Sequence, residues 1–424
     1  MTSLKTQIVQ SKGIYHGLPV FSPDIKGLTA VVTGASGISG TYMLKVLAEN
    51  PQRWTKVYAL SRKPPGGAWP AHFQHIPVDF LGGSDIIAKV LKEHQVKPDV
   101  VFFYAYIQPS PQEGGTIWSN VNDLVTINKA LLNNFLDALS SADAVPSRIL
   151  LQLGAKYYGV HLGPTAVPQE EDDPRVTLEP NFYYHQEDAL MQFARDHDIG
   201  WNTTRPASIP GAVTDAAMNL CLPLAIYATV KKHLGQPIEY PSDIVAWEMT
   251  EQLSSAQMNS YLAEWAVLTP EARNQSFNSS DGSAFSWGKF WPKFAHWFNL
   301  DYRRPETQPS VQYREVKTPY DPPPRGFGPP AVLRTRFTLA EWAKRPEVQK
   351  AWSEIAEKYN LRNNELGDTD RIFGFTDNSL MWSYPSNFSS SKLRKYGFHG
   401  YVDTTESIHE VFKEFVELRM IPPF

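Results

Sequence analysis

Two adjacent tyrosines, Tyr183 and Tyr184, stand in the segment NFYYHQEDAL and carry hydroxyls that could transfer a proton. A tyrosine hydroxyl serves best as a donor to a reacting oxygen when a nearby cation lowers its pKa. A lysine one helical turn later would supply that cation. Here the fourth residue after Tyr183 is Glu187, and the fourth after Tyr184 is Asp188. Negative charge disfavours the phenolate, so a catalytic tyrosine at this place needs a cation from elsewhere in the chain.

Lys156 is the candidate for that cation, because it follows the apolar run RILLQLG at 148–154. Residues just beyond the carboxyl end of a parallel strand face the ligand crevice of an open α/β sheet. Tyr183 begins a predicted helix 27 positions later (183 − 156). A lone loop lysine is usually a solvated surface residue, so the predicted Lys156–Tyr183 pair depends on the combination. Tyr184 is the competing phenol, and packing at the helix start is its favoured role.

A glycine-rich turn, VVTGASGISG, follows the first predicted strand and opens the first predicted helix. Glycine allows the backbone to turn tightly and to approach a pyrophosphate, and the helix N-terminus presents unpaired amides to that anion. A purely structural turn is the alternative, but the strand–turn–helix context favours nucleotide binding. The cofactor-binding candidates of this segment are Thr33, Gly34, Ser36, Gly37, Ile38 and Gly40.

The end of the second predicted strand, ALSRKPP, indicates which dinucleotide is bound. Sites that prefer NAD commonly place an acid here to bind the ribose 2′-hydroxyl. Instead, Ser61, Arg62 and Lys63 offer a hydroxyl, a guanidinium and an ammonium where the 2′-phosphate of NADPH would lie. A solvated basic loop is the alternative, but the position and the missing acid favour NADPH.

Two later strand ends supply further cofactor candidates. Asp79, after the third strand, is a candidate for binding the adenine amino group, and capping of its own loop is equally compatible. Ala105, after the fourth strand, would leave room for the cofactor in the crevice.

The first half of the chain alternates apolar strand patterns with helical patterns. This β-α-β-α order predicts an α/β fold with a doubly wound, parallel, Rossmann-type sheet, and residues 1–210 as an NADP-binding domain. The predicted strands are 28–35, 56–62, 73–80, 99–105, 148–154 and 199–209, and the predicted helices lie around 38–49, 82–94, 120–141 and 183–196.

After about residue 210 the alternation stops, and residues 211–424 are predicted to form a mostly helical substrate-binding cap region with room for parts of it to pack back onto the first domain. Helix-like patterns stand at 249–268 and 338–361. The Pro-rich stretch 303–330 predicts an extended loop, for which a surface excursion is favoured over an active-site lid. Core packing is favoured over a pocket wall for the tryptophans Trp287, Trp291 and Trp297.

Composition excludes several classes of protein. The 424 residues have a formal charge of −4 and no basic run, which disfavours a nucleic-acid partner. The longest apolar run, at 220–230, is too short to span a bilayer, and the first residues lack the apolar core of a signal peptide. The single cysteine, Cys221, excludes an intrachain disulfide and is predicted to lie in the core. We therefore expect a cytoplasmic protein without membrane or metal partners, and the sequence is compatible with a homodimer.

Three segments resemble successive motifs of the progesterone 5β-reductase/iridoid synthase-like family, an atypical extended branch of the short-chain dehydrogenases. They are LQLGAKYYGVHLGP, PRVTLEPNFYYHQEDAL and TTRPASIPGAVTDAAMNL, and the similarity continues through 277–300 and weakly into 392–407. The resemblance implies that the glycine turn binds NADPH and that Lys156 works with Tyr183, the first tyrosine of an N-F-Y-Y motif. It also implies that Arg205 lines the nicotinamide side, although a structural ion pair is equally compatible with Arg205.

The resemblance further implies an NADPH-dependent oxidoreductase that performs 1,4-reduction of an enone or enal. A small apolar metabolite such as a terpenoid, steroid or polyketide enone fits that activity. Two other readings stay open, because a fold and its cofactor do not fix the chemistry. One is a carbonyl reductase, epimerase or isomerase of secondary metabolism, and the other is a non-catalytic NADPH-sensing binding module. The presence of both Lys156 and Tyr183 disfavours the sensor.

Overall fold

The fold is built on strands and helices that span most of the chain. The computed structural model describes residues 7–112 and 118–424. Its strands are β1 (Val9–Lys12), β2 (Tyr15–Pro19), β3 (Leu28–Thr33), β4 (Trp54–Ser61), β5 (Phe73–Pro77), β6 (Val100–Phe103), β7 (Arg148–Gln152), β8 (Gly200–Pro206), β9 (Ile238–Glu239), β10 (Gln275–Ser279), β11 (Tyr302–Arg303), β12 (Arg314–Lys317) and β13 (Val332–Thr335). Its helices are α1 (Ile38–Ala48), α2 (Ser84–Glu93), α3 (Val121–Ser141), α4 (Phe182–Asp196), α5 (Cys221–His233), α6 (Ile244–Glu248), α7 (Ala256–Leu268), α8 (Trp287–Trp297), α9 (Leu339–Ala343), α10 (Pro346–Tyr359), α11 (Thr369–Leu380), α12 (Ser391–Lys395) and α13 (Thr404–Glu417).

The central sheet has seven strands in the order β10-β8-β7-β6-β3-β4-β5. All of its pairings are parallel. The chain enters at β3, runs outward to β5, and then returns to β6 on the other side of β3. The strand order therefore reverses between β3 and β6, and the crevice at this switch point is where ligands bind in such sheets.

Both faces of the sheet are covered, which confirms the doubly wound fold. Along β3, Ala30 and Val32 pack in one apolar cluster with residues of α1 and α7. Val31, between them, points to the opposite face and packs in a second cluster with residues of α2, α3 and α4. This alternation follows from the two-residue period of a strand, and it explains why the strand sequences are apolar throughout.

The six strands and four helices predicted in the first half are confirmed, with bounds that differ by a few residues. The seventh strand, β10, was not predicted, and neither was the N-terminal hairpin of β1 and β2. The sequence of β10, QSFNS, has no apolar alternation. Its polar side chains are instead satisfied across the edge of the sheet, where Thr203 Oγ1 donates to Ser276 Oγ at 2.7 Å.

The second half is mostly helical and has its own apolar core. Trp287, Trp291 and Phe290 are buried there, and Trp297 is partly buried against the same cluster. Cys221, at the start of α5, is fully buried in it, and burial raises the pKa of its thiol. Along the described chain, no helix combines the length and the apolar character needed to cross a membrane.

A few elements of the second half pack on the central sheet instead. Residues of α7, β10 and α12 belong to the cluster that covers the α1 face, with Met258, Phe277 and Leu393 among its buried members. The division of the chain at about residue 210 stays a prediction. The structure adds that residues 256–279 cover and extend the sheet of the first domain.

Two helix predictions in the second half are corrected. The predicted helix 249–268 begins only at Ala256, because Glu251 and Phe285 exchange two backbone hydrogen bonds of 2.9 Å. The predicted helix 338–361 is interrupted after Ala343, and α10 begins at Pro346. Proline lacks an amide hydrogen and is tolerated only in the first turn of a helix, which explains the break.

The Pro-rich stretch 303–330 contains β12, which pairs with β13 as an antiparallel hairpin. The stretch packs on the loops that flank the strand ends: Arg325 N donates to Pro164 O at 3.0 Å, and Tyr320 Oη donates to Glu179 at 2.9 Å. Its residues are not among those that line the large cavity described below. The stretch therefore supports the loops around the cavity and does not close over it.

Candidate active site

A cavity of about 1150 Å³ lies at the carboxyl ends of the parallel strands. Gly34, Ala105 and Gly154, which follow β3, β6 and β7, form one side of its wall. Residues between 371 and 386, from α11 and the loop after it, form part of the other side. The cavity thus lies between the sheet and the helical second half, at the switch point of the strand order.

The turn after β3 requires glycine at two positions. Gly34 has a φ of +60°, and a Cβ atom there would lie 2.8 Å from the backbone carbonyl carbon of Tyr104. A Cβ atom on Gly40 would lie 2.3 Å from the carbonyl oxygen of Gly34. Behind this turn α1 begins after Gly37 without a side-chain cap, so its first amides remain available to an anion. This cradle fits the pyrophosphate of a dinucleotide.

The predicted cofactor residues of the turn separate into two groups. Ser36, Gly37 and Ile38 line the cavity. Thr33 is not among the lining residues, and its contact with the cofactor stays a prediction. Its side chain is fully buried, and its Oγ1 accepts hydrogen bonds from the amides of Tyr104 at 3.0 Å and Ala105 at 3.2 Å. Thr33 therefore connects the end of β3 to the segment after β6. These bonds stabilise the position of the two strand ends that border the crevice.

The end of β4 presents two cations to the cavity. Arg62 and Lys63 are exposed and line the cavity wall, and neither forms an ion pair with another described residue. Ser61 differs, because it is buried and its Oγ donates to the carbonyl oxygen of Lys63 at 2.7 Å. Ser61 thus shapes the loop that carries the two cations, and the cations remain available for a phosphate.

Asp79 and Ala105 also lie in the cavity wall. Asp79 is exposed, and its Oδ1 accepts a hydrogen bond of 3.0 Å from the amide of Leu81, which is the loop-capping role. Its contact with adenine stays a prediction. Ala105 is half-buried beside Gly34, where a larger side chain would narrow the crevice.

Tyr183 lies in the cavity wall at the start of α4. Its Oη is directly above Gly154, because a Cβ atom built on that glycine would lie 2.8 Å from it. Within residues 7–112 and 118–424 the hydroxyl has no hydrogen-bond partner, and burial raises the pKa of Tyr183 above its usual range. A neutral phenol with a free hydroxyl can donate a hydrogen bond to an oxygen atom in the cavity.

Lys156 lines the same cavity from the 3₁₀ helix Ala155–Tyr158, immediately after β7. Its ammonium lies 5.2 Å from the ring centre of Trp118. Burial lowers the pKa of Lys156 to about 8, and the carboxylate of Glu179 opposes that shift. The structure therefore places the predicted lysine and tyrosine in one cavity wall, although they come from different elements.

Asn181 connects these two elements and was missed by the sequence reasoning. Its Oδ1 accepts from the amide of Tyr183 at 3.0 Å, which caps α4. Its Nδ2 donates to the carbonyl oxygen of Lys156 at 2.8 Å. Asparagine just before a helix is a common N-cap, so the cap was readable from the sequence. The second bond was not, because it joins residues 25 positions apart.

Tyr184 has the supporting role that the sequence favoured. Its Oη donates to the carbonyl oxygen of Tyr157 at 2.6 Å and accepts from the amide of Val176 at 2.9 Å. It does not belong to the cavity wall. The hydroxyl of Tyr184 therefore both donates and accepts a hydrogen bond within the protein, and it points toward the protein interior.

The acids that replace the expected lysine also point away from the cavity. Glu187 is buried between two arginines, at 3.1 Å from Arg205 and 2.8 Å from Arg175, and it accepts a 2.9 Å hydrogen bond from Tyr157 Oη. Asp188 is exposed and pairs with Arg175 at 2.7 Å. Their charges are neutralised by these arginines, so they do not oppose a hydrogen-bonding role for Tyr183.

The structural ion pair that the sequence left open for Arg205 is present, and its contact with the cofactor stays a prediction. Arg205 is buried and is not among the residues that line the cavity. Besides Glu187 it donates to the backbone oxygen of Glu171 at 2.9 Å, and its guanidinium stacks 3.5 Å from the ring centre of Tyr157. Arg205 thus holds the residue next to Lys156 in place.

The far part of the cavity was not predicted from the sequence. Aromatic side chains from distant segments line it: Trp118, Phe375 and Trp382. Glu251 and Gln252, from the segment before α7, also line the cavity. Within the described part of the chain, no cluster of three or more metal-binding side chains is found. This wall suits an apolar organic molecule with few polar groups.

Comparison with known proteins identifies relatives along almost the whole chain. The PRISE-like Rossmann-fold domain matches residues 30–318. The chain is 30% identical over 407 residues to the (S)-8-oxocitronellyl enol synthase CYC2 of Camptotheca acuminata, with 93% of each chain covered. It is 25% identical over 406 residues to the 3-oxo-Delta(4,5)-steroid 5-beta-reductase of Arabidopsis thaliana, again with 93% of each covered.

A solved structure with the same fold is the Bordetella bronchiseptica enzyme WbmG in complex with NAD. The TM-score is 0.57 at 13% identity, and the match covers 95% of this chain and 99% of that chain. At this identity the likeness shows the fold alone.

Proposed function

The chain belongs to the PRISE-like Rossmann-fold family, and on that premise we propose that it is an NADPH-dependent reductase of an activated C=C bond. The observation that carries the proposal is the free hydroxyl of Tyr183, which lies with Lys156 in the wall of the cavity that also contains the glycine cradle. The names of the two relatives support the same class, because one is an oxocitronellyl enol synthase and the other a steroid 5-beta-reductase.

The residues of the cradle fit a nicotinamide dinucleotide, and Arg62 and Lys63 favour the phosphorylated form. Their unpaired charges lie at the end of β4, where the ribose of a dinucleotide is bound in such folds. NADPH, when bound, supplies the hydride for the reduction. The amides at the start of α1 would hold its pyrophosphate, and Gly34 and Gly40 allow the close backbone contacts that form this turn.

Tyr183 and Lys156 act on the carbonyl group of the enone. As the β-carbon is reduced, negative charge grows on the carbonyl oxygen, and Tyr183 Oη donates a hydrogen bond to it. Lys156 contributes positive potential at the same oxygen. A donor that acts mainly in the transition state contributes about 3 kcal/mol to catalysis. Asn181 fixes the relative position of the two residues, since it binds the backbone of both.

The substrate that we propose is a small apolar enone or enal, such as a terpenoid, steroid or polyketide. The aromatic wall of Trp118, Phe375 and Trp382 supports this choice. A carbonyl reductase is the nearest alternative, because the same tyrosine could polarise a ketone for direct reduction. A cofactor-sensing module without catalysis is the remaining alternative, and it leaves the free Tyr183 hydroxyl without a role.

The position of a transferred deuterium separates the two reductions. The enzyme is given NADPH deuterated at the transferring position together with a simple enone, and the product is analysed by NMR. We expect deuterium at the former β-carbon, with the α-carbon labelled only when the reaction is run in D₂O. Deuterium on a carbinol carbon would show direct carbonyl reduction, and binding of NADPH without turnover of any enone would favour the sensor.

The preference for NADPH is tested with Arg62→Asp. The substitution exchanges a phosphate partner for a repelling charge, so the affinity for NADPH should fall far more than the affinity for NADH. Calorimetric titration of both cofactors measures the difference. An equal loss for the two would mean that Arg62 does not contact the 2′-phosphate.

A further inference from the structure

One partly buried carboxyl group of the cavity wall has no partner among the described residues. Glu251 is half-buried and lines the cavity, yet among the described residues its side chain forms neither a hydrogen bond nor an ion pair. Burial raises the pKa of Glu251 to about 8. A carboxyl in this setting is mostly protonated at neutral pH, and it can both donate and accept a hydrogen bond.

Two other acids of this wall, the exposed Asp215 and the partly buried Glu414, differ from Glu251. Asp215 pairs with Arg371 at 2.5 Å, and Glu414 pairs with Lys45 at 2.7 Å. Those two pairs connect the helical second half to the loop after β8 and to α1. They give the carboxylates of Asp215 and Glu414 a structural role, whereas no residue of the described ranges pairs with the carboxyl group of Glu251.

The backbone holds Glu251 firmly in this position. Its amide donates to Phe285 O at 2.9 Å, and its carbonyl accepts from Phe285 N at 2.9 Å. It also forms a parallel bridge with Ser386, which lines the cavity. The side chain is therefore presented to the cavity by a paired segment, and it does not belong to a free loop.

Glu251 belongs to the same wall as the reacting groups, but to a different part of it. Ser254, three residues later, accepts from the amide of Ala207 at 2.8 Å through its Oγ, and its amide donates to Ser208 O at 3.0 Å. Ala207 follows Pro206, whose carbonyl oxygen is near Gly154 beneath Tyr183. The segment that contains Glu251 is thus hydrogen-bonded to the residues just after β8. The end of β8 lies between this segment and Tyr183.

Only a few polar groups surround the side chain of Glu251 among the described residues. Gln252 uses its Oε1 to accept from the amide of Phe388 at 2.8 Å, and its Nε2 and the Oγ of Ser386 have no partner among the described residues. The titratable group that faces Glu251 is the buried phenol of Tyr240, whose pKa is raised by burial first and by Glu251 and Asp243 in addition. No cation faces Glu251 among the groups that shift its pKa.

We propose that Glu251 recognises a second oxygen of the substrate, a hydroxyl or carbonyl group distinct from the carbonyl that Tyr183 contacts. This inference rests on the proposed function, because it takes the cavity as the binding site of an enone. The substrate is then an oxygenated enone with two polar positions, and the aromatic wall between them contacts its apolar body. A neutral carboxyl suits either oxygen group, since it can donate to a carbonyl and exchange hydrogen bonds with a hydroxyl.

The test compares two enones of the same carbon skeleton, one with and one without a hydroxyl or keto group remote from the enone. The wild-type enzyme should prefer the oxygenated enone in kcat/KM, mainly through a lower KM. Glu251→Leu should reduce that preference by about tenfold, and Glu251→Gln should retain most of it because an amide still forms hydrogen bonds. Glu417→Gln is the matched control, since Glu417 is an exposed acid at the edge of the same cavity and should leave the preference as it is.

The pH dependence and direct binding complete the test. The preference of the wild type for a carbonyl-bearing enone should weaken as pH rises through about 8, where Glu251 ionises and can no longer donate. In Glu251→Gln that pH dependence should be absent. An unchanged preference in Glu251→Leu would overturn the proposal.

Calorimetry measures how tightly the saturated oxygenated ketone binds, and this measurement does not depend on turnover. Weaker binding to Glu251→Leu than to wild type would therefore support Glu251 even if enone reduction itself were disproved. Equal binding to both proteins would overturn the role of Glu251 while leaving the reductase proposal intact.

Discussion

Tyr183 and Tyr184 are neighbours in the first turn of α4, yet their hydroxyls have opposite surroundings. The hydroxyl of Tyr184 donates to one backbone group and accepts from another. The hydroxyl of Tyr183 has no partner in the described protein and faces the cavity. Consecutive residues of a helix point about 100° apart, so one turn can present one side chain to a ligand and the next to the interior. The comparison shows which tyrosine is free to act on a ligand.

The same division is found in the 3₁₀ helix that carries Lys156. Lys156 points into the cavity, whereas Tyr157 is buried and its hydroxyl donates to Glu187. Glu187, with Arg175 and Arg205, forms an ion network on the side of α4 that faces away from the cavity. On the cavity side, Tyr183 and Lys156 thus have no hydrogen-bond or ion-pair partner among the described residues, whereas Tyr157, Tyr184 and Glu187 on the supporting side are all paired.

The largest effect that we expect comes from breaking the supporting side. Glu187→Leu removes the carboxylate between Arg205 and Arg175 and leaves Arg205 buried with an uncompensated charge, so the free energy of unfolding should fall by about 3 kcal/mol or more. Asp188→Asn is the matched control on the same network. Its side chain is 61% exposed, and the change should be small. Chemical denaturation measures the free energy of unfolding of both variants. Equal losses would show that the buried ion pair contributes no more to stability than the exposed one.

On the cavity side, Tyr183→Phe should lower kcat by roughly 10²–10³, or about 3 kcal/mol. Stability should be unchanged or slightly higher, because the lost hydroxyl has no hydrogen-bond partner among the described residues. Steady-state kinetics with a simple enone and thermal unfolding test the two parts. Lys156→Met should act on the same step, and the double variant should be little worse than either single one, since residues that act as a unit are not additive. Full additivity would mean that the two residues do not cooperate.

The pH profile sharpens the role of Lys156. Its pKa is lowered to about 8, so its positive charge is present below that pH and is lost above it. The kcat/KM for a simple enone should fall about tenfold per pH unit above pH 8. Lys156→Arg should keep activity to higher pH, since arginine stays charged. Glu251 also titrates near pH 8, and Glu251→Gln should therefore keep the falling limb if Lys156 causes it.

The sequence predicted the strands and the glycine turn at one side of the cavity better than the aromatic part of its wall, for physical reasons. Local sequence patterns were enough to find strands β3 to β8, the glycine turn and the cations after β4. Each of these features depends mainly on residues that are neighbours in the sequence. Lys156 was found because its position follows a strand end. The structural partners of Thr33 and Arg205 could not be predicted from the sequence, because burial depends on packing, here against the amides after β6 and the carboxylate of Glu187.

The substrate end escaped prediction because it is assembled from segments far apart in the chain. Trp118, Glu251 and Trp382 meet only when the helical second half packs against the sheet. The strand β10 escaped for a related reason, since its polar residues are satisfied by its neighbour β8 and leave no apolar pattern. The spacing of residues along the sequence does not indicate such contacts between distant segments.

The smallest effect that we expect is that of Tyr184→Phe, and it decides whether the comparison between the two tyrosines is correct. The substitution removes a hydroxyl that joins Val176 N to Tyr157 O, and both backbone groups then lack that partner. The loss should be about 1 kcal/mol in the free energy of unfolding, the usual contribution of a hydrogen bond. Because Tyr157 is next to Lys156, kcat should change only severalfold, through small shifts of the lysine. A loss of kcat as large as that of Tyr183→Phe, with stability unchanged, would reverse the assignment and make Tyr184 the residue that acts on the substrate.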